Sequence, residues 1–368
     1  AYPSALAHPH TTHIRPFMLQ RHARALLGRL LRGEGLSANT VALIAVAGLS
    51  EQQPLPEAMH AALDHQAEQP DPEFTEPKPS RHNQAPIPSD VQALVTSLAP
   101  VLAEHPAGMA ANLASLWALS MLWPHAGSTD RPLLRTRWLN SLLTVSTPPG
   151  ACLDPAMLRS WQREMPTEAG LSRNFAGLSE LLHADTPQHA WHCLAVHLSA
   201  DLELPRLGSA LGSLAVRLLT SRRDLDGNAL RVLVGATALE RLTPLMPLDL
   251  VPLLASHLGH ELWWVATQTR SSTLATCPDH DVQPLSQALT VGDPAMVCRA
   301  ARAAAQSPDG FWTTVWQTLV DAMPSGDDWR APLACSAAVG WRNRAGILSP
   351  DDAAALALTL MEATAVAG

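Results

Sequence analysis

The chain has 368 residues, a formal net charge of −8, 47 % hydrophobic residues and only 16 % charged ones. That apolar share excludes a disordered or collagen-like chain, and the sparse charge excludes a long coiled coil. An acidic total also excludes a protein whose whole surface grips nucleic acid, so any RNA contact is expected from a local patch.

In chain order, the first 33 residues hold no Asp or Glu but carry Arg15, Arg21, Arg24, Arg29 and Arg32, with Ser4, Thr11 and Thr12 among them. Arg-rich, hydroxyl-bearing and acid-free is the composition of an organelle import segment, which predicts a mitochondrial (matrix) destination. The same residues also fit a basic first helix, because Phe17, Met18, Leu26, Leu27, Leu30 and Leu31 recur at spacings of three and four. The longest apolar run, Val41 to Leu49, is nine residues. A membrane helix needs roughly 18 to 20, so no membrane insertion is expected. Glu68 to Pro88 then collects six Pro, four acids and two bases with no sustained apolar pattern. It reads as a linker. The chain therefore divides into a tail and first helical unit over 1–67, a Pro-rich linker over 68–88 and a helical body over 89–368.

Within that body helix starts are signposted. Ser89-Asp90, Asp154-Pro155, Thr186-Pro187, Asp293-Pro294 and Ser349-Pro350 each precede an apolar stretch of helical period. A capping oxygen followed by Pro at the first helical position satisfies free N–H groups and presets the backbone torsion. Strand signals are nearly absent, since β-branched runs are few and the chain has one Tyr and four Phe. The expected class is all-α.

The helices also resemble one another. Asn39 to Leu49 (NTVALIAVAGL) aligns with Asn112 to Leu122 (NLASLWALSML) and with Asn228 to Ala238 (NALRVLVGATA), and weaker copies begin at Pro155, His189, Pro294 and Ala331. In each, a tight Ala/Leu/Gly helix is followed by a turn and a second amphipathic helix. Examples of the second helix are Pro132 to Leu143, Leu204 to Leu219, Leu248 to Val265 and Trp312 to Met323. A two-helix unit recurring with a period of about 38 residues predicts an irregular α-solenoid of stacked helix pairs.

At these residues the chain resembles the organellar α-helical repeat families. The segment Asp90 to Leu143, with its core Ala111 to Leu122, is similar to one unit of the octotricopeptide repeats, of the repeats that precede RAP domains or of pentatricopeptide-like repeats. The resemblance implies an organellar protein that binds RNA, or a structural subunit of a mitochondrial ribosome or another large assembly.

Catalytic signals do not emerge. The five cysteines are scattered without a C-x-x-C pair, and neither G-x-S-x-G nor a phosphate-cradling Gly loop occurs. Three histidine groups have suggestive spacing: His8, His10 and His13; His189, His192 and His197; and His257 and His260 beside Glu261. The last lacks the H-E-x-x-H order of zinc helices, so no metal, cofactor or catalytic residue is assigned. Basic clusters remain. Arg131, Arg135 and Arg137 open one predicted helix, Arg222 and Arg223 end another, and Arg299 and Arg302 share a third. Guanidinium groups can track phosphates and stack on bases, which makes Arg131, Arg135, Arg137, Arg222 and Arg223 the expected RNA contacts.

The expected function is a non-catalytic subunit of a large mitochondrial RNA–protein assembly, foremost a mitochondrial ribosome. Its partners would be other protein subunits, with local contact to rRNA. A protein-only scaffold, such as an accessory subunit of a respiratory or ATP-synthase complex, would show no Arg stripe. A helical His-dependent metal oxidoreductase would show His189, His192, His257 and His260 converging.

Overall fold

The computed structural model describes residues 87–142, 150–164, 176–198, 204–223, 228–268, 270–271, 283–322 and 349–364. The N-terminal unit, all of the linker before Ile87, and the repeat copies at Asn39 and Ala331 lie outside the described residues. The described part holds twelve α-helices. In chain order they are α1 (Val91–Glu104), α2 (Met109–Leu122), α3 (Asp130–Leu142), α4 (Pro155–Glu164), α5 (Pro187–Leu198) and α6 (Leu204–Ser221). They continue with α7 (Asn228–Leu242), α8 (Val251–Gln268), α9 (Leu285–Val291), α10 (Pro294–Ala304), α11 (Pro308–Ala322) and α12 (Pro350–Thr364). Short 3₁₀ turns precede or follow several of them, the longest being Ala176–His183. Extended pairing among the described residues is limited to β1 (Arg222–Arg223) against β2 (Arg270–Ser271). The class is all-α, as the sequence predicts.

All five signposted starts are helix starts, and the hydrogen bonds show why. Asp90 accepts from the Ala93 amide at 2.8 Å and Asp154 from Ala156 at 2.7 Å. Thr186 accepts from His189 at 3.2 Å, while Asp293 takes both Ala295 and Met296, at 2.8 and 3.0 Å. Ser349 accepts from the Asp352 amide at 3.1 Å and donates to the Asp352 carboxylate at 2.7 Å. Each bond satisfies an amide that the first turn would otherwise leave without a partner.

The core is built around α7, whose inner face packs on α6 and on α2. Small residues permit the approach. A Cβ added at Gly235 would lie 2.5 Å from the Ala110 Cα, and one at Gly208 would lie 2.5 Å from the Glu240 amide nitrogen. Backbones this close leave no room for any side chain, so helix density rather than side-chain bulk fills the centre. Around it, α1 and α3 flank α2, α8 packs on α5 and α7, and α12 lies against α10, α11 and α6. A satellite cluster of Leu153, Leu158, Trp161, Trp191 and Ala195 joins α4 to α5.

The two helices that share the Asn-led pattern, α2 and α7, therefore lie against each other across more than a hundred residues of intervening chain. In a strictly linear stack each unit touches only its neighbours in sequence. The described contacts establish helix-on-helix packing, while the register of the pairs departs from simple nearest-neighbour order. Tryptophans anchor this packing: Trp123 and Trp138 are wholly buried, Trp161 and Trp312 nearly so, and Trp117, Trp263 and Trp264 are half-buried against the core.

Candidate functional site

Of the expected RNA contacts, the side chains of Arg131 and Arg135 are among the described residues. Arg131 sits in the first turn of α3, and its guanidinium carbon lies 5.5 Å from the centre of the Trp123 ring. It donates to the Ser89 carbonyl at 3.1 Å and to the Trp123 carbonyl at 3.4 Å. With those bonds Arg131 ties the start of α3 to the entry of α1, so its charge serves the fold. Arg135 is only 4 % exposed, and burial lowers its pKa. That position corrects the expectation for Arg135: a guanidinium enclosed by protein does not meet a phosphate. Arg137 lies on α3, but its side chain is outside the described residues, as are those of Arg222 and Arg223. The backbones of the last two form β1, where Arg222 pairs with Ser271 and Arg223 with Arg270. Of the third pair, Arg302 bonds Asp351 through Nη2 and Nε at 3.0 and 3.1 Å, which joins α10 to α12.

The histidines part in a different way. His189 and His192 are exposed on α5, with His192 beside the Trp191 ring at 5.4 Å, whereas His197 is buried. His257 and His260 are buried on α8. Among the described residues no three His, Cys, Asp or Glu side chains come together as a metal-holding group.

The densest polar arrangement is instead a joint where α8 meets the start of α2. Helix α2 begins after Gly108, which holds a left-handed conformation at φ 64 and offers no capping side chain. The missing cap comes from α8, where a Glu261 carboxylate oxygen accepts from the Ala110 amide at 2.9 Å. A carboxylate there meets free N–H groups and the positive end of the helix dipole together. Burial nevertheless pushes Glu261 up to about 7, against the opposing pull of the Ala110 amide and of Arg231 on α7. At the residue immediately before Glu261, His260 Nε2 lies 2.9 Å from the Gly150 carbonyl. A carbonyl only accepts, so that nitrogen carries the proton. His257 is 2 % exposed, and neither ring nitrogen has a hydrogen-bond partner among the described residues. Burial, reinforced by His260, lowers its pKa to about 4. The pair is held neutral at ordinary pH. Cys152, in the same neighbourhood, is pushed up by burial and by Glu261, away from the thiolate that a nucleophile needs.

No family model matches the chain, and no curated protein or solved structure does so either. The site is therefore read from its own geometry.

That geometry explains the one helix closest to the repeat pattern. Asn112 is 2 % exposed and donates from Nδ2 to the carbonyls of His105 and Ala107, at 3.2 and 2.8 Å. It closes the turn between α1 and α2, satisfying carbonyls that the end of α1 leaves open. Ser115, three residues on, accepts from the buried Trp138 indole at 2.9 Å and so fixes α3 on α2. Sequence reasoning picked Asn112 as a pattern anchor without its role, and met Glu261 only as part of a metal spacing. A usable signal was present: the start of α2, Ala107-Gly108-Met109, offers no Ser, Thr, Asp or Asn as a cap.

Proposed function

We propose that this protein is a non-catalytic helical-repeat subunit of a large RNA–protein assembly in mitochondria, foremost the mitochondrial ribosome, making protein–protein contacts and local contact with rRNA. The observation that carries the reading is the fate of the Asn112–Leu122 helix. Its Asn closes the inter-helix turn, its Ser holds the following helix, and its apolar residues are spent on neighbours. Such a helix is a scaffold element, and the residues around it fix helices in place. The polar groups nearby are bonded to backbone or buried, which leaves them suited to holding helices together. The solenoid belongs to the same proposal in an irregular form, with α2 packed directly on α7 and α8.

The test is sedimentation of the endogenous protein from a gentle lysate, with and without RNase. The expected result is a particle of megadalton size that shrinks on RNase treatment. A large particle indifferent to RNase would replace this reading with the protein-only scaffold, and a free monomer of 39.4 kDa would remove both.

A further inference from the structure

Four residues of α8, Leu253, His257, His260 and Trp264, are spaced by four, three and four, which sets them along one side of the helix. Three of them meet the segment 150–164 or the cluster it forms with α5. Leu253 packs on the satellite cluster that contains Leu153, Leu158 and Trp161. His260 bonds the Gly150 carbonyl, and a Cβ at Gly150, whose φ is 85, would lie 3.4 Å from Trp264 Nε1. His257 stands between these contacts, so the segment crosses α8 over it.

The hold is narrow, and part of what it covers is polar. Among the described residues α4 shares no broad face with another helix. Its buried side chains, Leu158 and Trp161, belong to the satellite cluster and not to the main core. The centre of that cluster is the Trp161–Trp191 pair, with ring centroids 6.0 Å apart. At the same joint the buried Trp191 Nε1 and both ring nitrogens of His257 have no hydrogen-bond partner among the described residues. Each has lost water without gaining a partner, a penalty that ends when the segment lifts.

We propose that segment 150–164 is a strap that lifts from α8 and α5 as one unit while the main core stays folded, with His257 as the group that loads it toward opening. Acid favours the lifted form. Burial keeps His257 neutral down to about 4, while water around a lifted strap restores the ordinary value of 6.5. Between those values the lifted form binds the proton more readily, so opening rises as pH falls below 6.5. The titratable groups set inward around His257 are His260 and Glu261 on α8, Cys152 on the strap, Cys193 and His197 on α5, and Arg231 and Glu240 on α7. Of these, His260 adds to the effect of burial. Every other described charged side chain on α1, α5, α6, α7, the strap and the turn Ala176–His183 is exposed, and α2 carries none. Glu261 stays on the Ala110 amide when the strap alone moves, so its opposing titration does not offset His257 there.

The test is hydrogen exchange of the full chain, read peptide by peptide, with α4 compared with α2 and α7 in the same sample. In the parent, α4 should exchange roughly a hundredfold or more faster than α7 at neutral pH. The ratio of the two should rise about tenfold from pH 7.5 to pH 5.5. His257→Leu, apolar and close in volume, should slow α4 exchange about tenfold and flatten the pH response. Trp161→Ala should speed α4 exchange by roughly a hundredfold and leave α2 and α7 within about threefold of the parent. Equal protection of α4 and α7 in the parent, or a loss of protection in α7 that matches α4 in Trp161→Ala, would overturn the strap as a separate unit. Faster α4 exchange in His257→Leu, or a ratio that does not move with pH in the parent, would overturn His257 as the group that loads it.

Discussion

Glu261 and His257 titrate in opposite senses. The folded state holds Glu261 up to about 7, so the unfolded chain gives up this proton first, from an ordinary value near 4.5. Stability from this group is complete below pH 4.5 and is lost as pH rises through 7. His257 is lowered from 6.5 to about 4 in the folded state, so its contribution is complete above pH 6.5 and is lost as pH falls through 4. Between pH 4.5 and 6.5 the two slopes cancel. His260, lowered chiefly by burial and raised again by its bond to Gly150, adds to the histidine side. The Glu261→Gln variant keeps an oxygen for the Ala110 amide and removes one of the two slopes. Urea unfolding should show that its stability relative to the parent improves by about 3 kcal/mol between pH 4 and pH 8. A difference that stays flat with pH would place the carboxylate in water. None of this was legible in the sequence. The spacing of His257, His260 and Glu261 announces one helix face, but which end of which helix that face meets is a tertiary fact.

At the scale of elements, the contact of α7 with α2 and α6 depends on hydrogen in place of methyl. Gly235→Ala drives a Cβ against the Ala110 Cα and, at 2.9 Å, against the Ala110 carbonyl oxygen, both backbone atoms that cannot rotate away. Thermal or urea unfolding should register a loss of about 2–3 kcal/mol. Gly177→Ala is the control, because a Cβ there meets nothing within 4 Å. Its effect should be neutral or slightly favourable, through a less flexible unfolded chain. The elements themselves were the most legible feature of the chain. Asp90, Asp154, Thr186, Asp293 and Ser349 announce their helices because capping is a local interaction, decided within four residues. The helix periods were readable for the same reason. Charge was not, since the environment of Arg131 and Arg135 is set by Trp123, by the Ser89 carbonyl and by the depth of α3. A helix start with three arginines reads alike whether they face water or a tryptophan.

For the molecule as a whole, the α2–α7 contact separates two architectures. In a one-dimensional array a terminal stretch keeps much of its structure when cut from the rest, because each unit leans only on the next. Here residues 87–142 supply α1 to α3, while the largest surface that α2 is buried against comes from α7. Expressed alone, 87–142 should show little helix by circular dichroism and should gain it when extended through 268. A stable helical 87–142 would favour the linear stack. The fold class was open to reading because composition and period suffice for it, whereas the order in which helices pair requires knowing which Ala/Leu/Gly faces fit, and α2 and α7 look equally able to pair with any small-residue helix.

The late arrival of that partner also matters while the chain is being made. Synthesis delivers α2 well before α7, so a nascent chain halted anywhere between them has α1 and α3 beside α2 but lacks the helix that Ala110 packs against. Residues that are silent in the finished protein are then the ones on which a chaperone has to act, and the interval between the two helices sets how long it must hold on.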